Sequence, residues 1–260
     1  YAHSGSSSNS NERLFIDFAG NIKPRIGIGT MLDYVYARGE YTGSSAKPLK
    51  WVTYLYYNGD KYRANFSFNL SKYANQEWGG VLNRDHTLHP DNYNNNFTTP
   101  SSMPTKLTDV WNTTNFYNIH YNHSYNMGKW VEKREINEND TTVWDEFIPI
   151  GTIFHTIDFH YYKHSFKAGK KHDQTEDGFF KNYYYNPLET NDSTSYKNFS
   201  TYVGIRLNEG FSKWSQLGIS AFVGFEHQSY TNLVDSTNLN FIERKHVSNN
   251  IWVGAQMSRH

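Results

Sequence analysis

Tyr62-Arg63-Ala64-Asn65-Phe66-Ser67-Phe68-Asn69-Leu70-Ser71 divides into two sets that share no chemistry. Tyr62, Ala64, Phe66, Phe68 and Leu70 are apolar, and the residues between them are polar. Side chains alternate sides along a strand, so one face of this segment meets an apolar medium and the other meets water. A half-buried strand of a soluble sandwich alternates over about 5–6 residues. This stretch holds for ten, and about ten is the length of a tilted strand that crosses a bilayer.

The period recurs in both directions from it. On the N-terminal side, Arg13–Ala19 sets Leu14, Ile16 and Phe18 on one face. Ile26, Ile28, Thr30, Leu32, Tyr34 and Tyr36 then oppose Arg25, Gly27, Gly29, Met31 and Asp33. Trp51–Tyr57 alternates less cleanly, and Asn58-Gly59 makes a tight hairpin into the opening segment. On the C-terminal side the pattern returns over Thr113–Met127, Thr152–Tyr162, Phe199–Leu207, Leu217–Phe225 and Val247–Met257. That predicts an all-β chain of about nine strands.

Connection lengths carry a second signal. Short links around Asn21, Asn58–Gly59 and Glu209–Ser215 alternate with long ones around Gly39–Lys50, 72–112, 167–197 and Ser229–His246. Outer-membrane barrels have short periplasmic turns and longer extracellular loops. One link breaks the rule: Gly128–Glu146 falls on the short side although it is long. An antiparallel transmembrane β-barrel accounts for the rest. An odd strand count leaves an edge open, and a closed bacterial barrel needs an even number, so the expectation is a portion of a larger barrel. Residues 1–12 read as a flexible Ser/Asn-rich start, and the opening Tyr1-Ala2-His3 reads as a processed chain or an excerpt.

Composition agrees. The chain has 21 Tyr and 17 Phe with a mean hydropathy of −0.78, so its apolar character rests on tyrosine rather than on aliphatic mass. Tyrosine has an apolar body and a polar tip, which suits the girdles at the water–lipid boundary. The absence of Cys removes disulfides and thiolate metal sites. The 25 basic and 25 acidic residues cancel, so no net field draws the chain to nucleic acid.

Several segments resemble the putative porin family of Bacteroidota, large outer-membrane β-barrels. They are Leu207-Asn208-Glu209-Gly210-Phe211-Ser212-Lys213-Trp214 with Leu217-Gly218-Ile219, Ile153-Phe154-His155-Thr156-Ile157, Gly59-Asp60-Lys61-Tyr62, His123-Ser124-Tyr125-Asn126-Met127-Gly128 and Asn191-Asp192-Ser193-Thr194. The resemblance implies a pore in the outer membrane of a Gram-negative cell. It carries no catalytic residues.

Catalytic and metal chemistry finds little support. His86-x-x-His89 has Asp85 and Asp91 beside it but no third ligand on a known spacing, so it reads as a solvated loop. Gly27-x-Gly29 lacks a third Gly and a following helix, and reads as small residues on the water face beneath a bulky neighbour. No cofactor is implied. The expected function is therefore a porin-like channel or a transport or secretion component, with outer-membrane lipid as its surroundings. Other envelope proteins or surface glycans are the expected partners. A soluble glycan-binding module using Trp51, Trp78, Trp111 and Tyr183–Tyr185 as platforms, or a non-conducting structural subunit, are the alternatives.

Arg25, Asp33, Arg63, Asp158, Arg206 and Glu226 are the pore-lining candidates. Trp78, Tyr93, Trp111, Tyr183, Tyr184 and Tyr185 are the expected extracellular-loop aromatics, folded over the opening. An Arg at Ile28 should cost about 2–4 kcal/mol at mid-membrane, whereas an Arg at Gly29 should be tolerated.

Overall fold

Each strand of the computed structural model lies against its sequence neighbours. Ala2–Ser6 (β1), Glu12–Lys23 (β2), Ile26–Tyr36 (β3), Leu49–Asn58 (β4) and Tyr62–Gln76 (β5) are followed by Val110–Asn137 (β6), Asp140–Ala168 (β7), Thr190–Leu207 (β8), Leu217–Val234 (β9) and Ile242–Arg259 (β10). They form one antiparallel sheet in the order β1 to β10. The structure describes residues 2–6, 11–93, 99–137, 140–170, 172–176, 178–180, 189–208, 217–234 and 241–259. All nine expected strands are present. Ala2–Ser6, inside the expected flexible start, instead pair with β2, Ala2 opposite Ile16 and Ser6 opposite Glu12.

Register keeps the two faces apart. A single row runs Thr30, Thr53, Phe68, Ile119, Phe159, Phe199, His227 and Asn249, each residue opposite the next. A slip of one residue on any strand would turn its apolar set to the other face. The row begins among the apolar residues of β3 but ends at Asn249, two positions before the apolar run Ile251, Val253, Ala255 and Met257. The apolar band thus shifts toward the short-turn end as the sheet is crossed. Strands tilted to a level membrane require that shift.

The apolar face is uncovered. Ile251 is 77% exposed and Val253 82%, and Leu55, Val203, Ile205 and Val223 are exposed across the middle of the sheet. Polar atoms on this face bond to one another. Trp51 Nε1 donates to Thr30 Oγ1 at 3.1 Å, and Thr30 and Thr53 share a 2.9 Å hydroxyl bond. The Tyr62 and Tyr121 hydroxyls meet at 3.0 Å. His123 and His155 share a 3.1 Å ring bond, and His155 Nε2 lies 2.8 Å from Thr201 Oγ1. In hydrocarbon an unpaired polar group costs several kcal/mol, at roughly the level given by transfer to cyclohexane, so such mutual pairing is what this face requires.

Four expected connections change. The Gly128–Glu146 link is not a loop: β6 and β7 stay paired down to Asn137 opposite Asp140. β5 leaves β6 at Tyr62 opposite Tyr125, and β8 leaves β7 at Leu207 opposite Gly151. Beyond those points 128–137 and 140–149 form a two-stranded ribbon that projects past its neighbours. A bulge marks its root, where Met127 pairs Gly151 but Gly128 pairs Pro149, leaving Ile150 extra. The alternation stops there, since Lys129, Lys133 and Glu146 fall among the positions that continue the apolar face. The long 72–112 and 167–197 links shrink to 77–109 and 169–189, because β5, β6, β7 and β8 all run further than the alternation showed. Ser229–His246 shrinks most, to 235–241.

Tyr54 and Tyr56 on the water face lie across Gly29 and Gly27, where a Cβ would overlap each ring. Gly29→Arg is therefore not the tolerated substitution expected from the pattern. Asn65 and Phe66 give the clean comparison. Phe66→Arg should impair folding into lipid vesicles by about 2–4 kcal/mol, and Asn65→Arg should fold like the parent. Equal urea midpoints for the two variants in vesicles would contradict this assignment of faces.

Candidate functional site

The water face is built from side chains that pair across β6 and β7. Thr114 with His164, Asn118 with His160, His120 with Asp158, Asn122 with Thr156 and Asn126 with Thr152 stand opposite each other on one side of the sheet. Every pair is hydrogen-bonded. Thr114 Oγ1 lies 3.1 Å from His164 Nδ1, and Asn118 Nδ2 donates to His160 Nδ1 at 2.9 Å. His120 Nδ1 donates to Asp158 Oδ1 at 2.6 Å. Asn122 Nδ2 donates to Thr156 Oγ1 at 2.6 Å, and Thr152 Oγ1 donates to Asn126 Oδ1 at 2.9 Å. This polar ladder was in the alternation but unread, because the matching depends on register rather than on either strand alone.

All six pore-lining candidates belong to this side. Five reside on strands, and Arg25 sits in the turn before β3. They do not pair with one another. Asp33 takes a two-pronged bond from Arg13, both contacts at 2.9 Å. Arg25 pairs with Asp60 at 2.7 Å, and Asp158 with His120. Glu226 accepts from Asn198 at 2.8 Å and from Asn250 at 3.2 Å. Arg206 lies over the Phe154 ring, 5.7 Å from its centre. Arg63 has no ion pair among the described residues.

Aromatic rings fill the dents that glycines leave on this face. Besides Tyr54 and Tyr56, Phe154 crosses Gly204 and Phe222 crosses Gly254. Phe154, Tyr202 and Phe222 meet edge-on or tilted in a row, with centroids 6.4 and 6.2 Å apart. The Gly27-x-Gly29 reading, small residues beneath a bulky neighbour, holds.

At the long-loop end, segments 77–109 and 169–176 fold against each other. Leu107 N donates to Trp78 O at 3.0 Å, Thr108 N to His172 O at 2.8 Å and Gln174 N to Lys106 O at 3.0 Å. Leu107, Val110 and Ala168 make a small buried core, with Phe166 and Phe180 packed on it. Trp78 stacks on Tyr41 at 4.4 Å. Trp111, expected in the loop, is the second residue of β6, where Lys47 Nζ sits 4.9 Å over its ring. Tyr183, Tyr184 and Tyr185 lie outside the described residues.

His86 lies within a single helical turn, Asp85–Leu88, and His89 caps its C-terminal end. His89 Nδ1 donates to Asp85 at 2.7 Å, and the Tyr93 hydroxyl donates to it at 2.9 Å. His86 is buried edge-on against Tyr93, with centroids 4.6 Å apart. These residues close a corner, and no group of three metal-ligating side chains occurs among the described residues. The bonds from His89 and then Tyr93 hold the Asp85 carboxyl below the usual range, and Asp85 in turn raises the Tyr93 phenol. Burial pushes Asp173 up, but the Thr175 hydroxyl and the Thr175 and Phe179 backbone N–H groups outweigh it and leave it lowered.

A family model described as "Putative porin" matches residues 1–260. No curated protein matches the chain. Among solved structures, the ferric citrate transporter FecA in its unliganded form aligns over 100% of this chain with 10% identity and a TM-score of 0.35. The chain spans 41% of that transporter's length.

Asp85 and Asp173 set the acid behaviour of the loop lobe. A carboxyl whose folded pKa is depressed contributes stability that is complete above its unfolded value, about 3.9, and is lost as pH falls through the folded one. Hydrogen exchange in 77–109 and 169–176 should stay slow at about pH 4 and quicken on further acidification. Asp173→Asn should weaken the step that its own turn contributes. An exchange rate that does not change with pH in this range would contradict the pairing.

Proposed function

The chain belongs to the family described as "Putative porin", and on that premise we propose that its sheet walls a water-filled passage for small solutes. An outer-membrane, porin-like role comes with the family. The passage itself is our reading, carried by one observation: the mainly apolar and mainly polar faces stay aligned from strand to strand across β2 to β10 without a register error between the membrane-level residues. The exposed apolar face is too continuous for a water-soluble glycan-binding module, since soluble monomers rarely expose a contiguous patch beyond a few hundred Å². The polar face carries arginines, carboxylates, amides and histidines, and on this reading its work is passage rather than catalysis.

In this reading the host is a Gram-negative cell, of the Bacteroidota by the resemblance, and lipid is the first partner. The loop lobe around Leu107 and Trp78 faces outward and narrows the opening, with a surface glycan or envelope protein as its ligand. Charges of both signs along Arg25, Asp33, Arg63, Asp158, Arg206 and Glu226 shape selectivity, as charged rings do in other pores.

Orientation and conduction are separately measurable. Protease added to intact cells should cut after Lys170 in the loop lobe and spare Lys129–Arg134 in the ribbon; the reverse pattern would invert the molecule. The complete protein in planar bilayers should give ohmic current, and Arg63→Ala with Arg206→Ala should shift its reversal potential toward cation preference. An unchanged potential would remove both arginines from the conducting path.

A further inference from the structure

We propose that Arg63 and Arg206 form a binding subsite for oxyanions, phosphate or carboxylate groups carried by solutes, on the water face near the short-turn end. The proposal rests on the reading of that face as water-filled. It begins with which charges already have a partner. Arg25 is held by Asp60, Asp33 by Arg13, Asp158 by His120, and Glu146 by Lys133 at 3.3 Å. Glu226 is held by two amides. Of the six charged candidates, Arg63 and Arg206 alone lack an opposite charge or hydrogen-bonded partner among the described residues.

They also share a site. Both line one open cavity of about 390 Å³, and none of its lining residues is a carboxylate. Arg63 stands opposite Ser124, and Arg206 opposite Thr152, which faces Asn126. Three strand spacings and a two-residue offset separate the two backbones, roughly 16 Å, which two arginine side chains reaching toward each other can bridge around a small anion. Asp145 stands in a neighbouring cavity with Arg63, without an ion pair between them.

The floor favours an anion bound by the guanidinium groups rather than by amides. Asn122, Asn126 and Asn208 already donate to Thr156, Asp60 O and Pro149 O. The Phe154 ring beneath Arg206 leaves the edge of that guanidinium available. Two planar forks match the oxygens of a phosphate or carboxylate, and such charge-assisted bonds are about twice as strong as neutral ones. Chloride offers no such geometry, which separates a subsite from a merely positive field.

The test is phosphorus NMR of inorganic phosphate with the complete protein in detergent, each variant first checked for heat-modifiable gel mobility. Wild type should broaden the phosphate line in a saturable way, acetate should compete and equimolar chloride should not. Arg63→Ala with Arg206→Ala should weaken binding about tenfold or more. Arg38→Ala should leave it unchanged, since Arg38 lies at the opposite, long-loop end of the sheet. Lys at both positions should recover only part of it, because the charge returns without the fork. Absence of broadening by wild type, or equal broadening by the double Ala variant, overturns the subsite. Bilayer current is recorded in parallel: current without phosphate binding rejects the subsite alone, whereas Arg-dependent binding without current upholds it and rejects the passage.

Discussion

A peptide group in hydrocarbon has no water to bond to, and the structure follows from that constraint. Strands β3 to β9 have neighbours on both edges, β2 is paired on its outer edge over Glu12–Ile16, and β10 is paired on one edge among the described residues. Because the ladder fixes register, it also fixes which side chains face lipid. One row of residues from Thr30 to Asn249 therefore places eight strands at once. The same constraint reaches the side chains: Trp51 with Thr30, Tyr62 with Tyr121 and His123 with His155 bond each other because the solvent on that face cannot serve them.

On the opposite face water is available, and other requirements take over. The wall is smoothed by rings laid over glycines, as with Tyr56 over Gly27 and Phe222 over Gly254. Fixed rings and cross-strand amide pairs leave little free rotation along β6 and β7. Of the six candidate charges, four have a hydrogen-bonding or oppositely charged neighbour, and Arg63 and Arg206 have none among the described residues.

Much of this was legible in the sequence because alternation is a one-strand property. Tyr62–Ser71 shows its two faces without any partner, and the nine strands expected from alternation are β2 to β10. The strand ends were read too short because alternation fades outside the membrane: Ser229–Val234 and Ile242–His246 are paired strand with mixed faces. The ribbon 128–149 was missed for the same reason, its lysines and glutamates lying on both sides. Trp111 looked like loop because its neighbours Val110 and Asn112 break the period, although it pairs with Gln76 and Lys167. Gly29 showed as a small water-facing residue, but the ring that covers it sits on another strand. Partners such as Arg13 for Asp33 and His120 for Asp158 are properties of register, which no single segment carries.

The β6–β7 ribbon also bears on the order in which the sheet assembles. Only residues 138–139 separate the two strands, whereas β5 must close across 77–109 to reach β6. Loop closure grows as about (3/2)RT times the logarithm of the loop length, so the longer closure costs roughly 2–3 kcal/mol more. Hairpins with short closures form in about 1–10 μs, ahead of pairings between distant segments. β6 and β7, paired along the length of both strands apart from the bulge, are thus among the cheapest contacts the chain can make, with β2 and β3, which only residues 24–25 separate. Once they meet, the bulge at Gly128 is fixed, and strands paired on either side take their register from this pair.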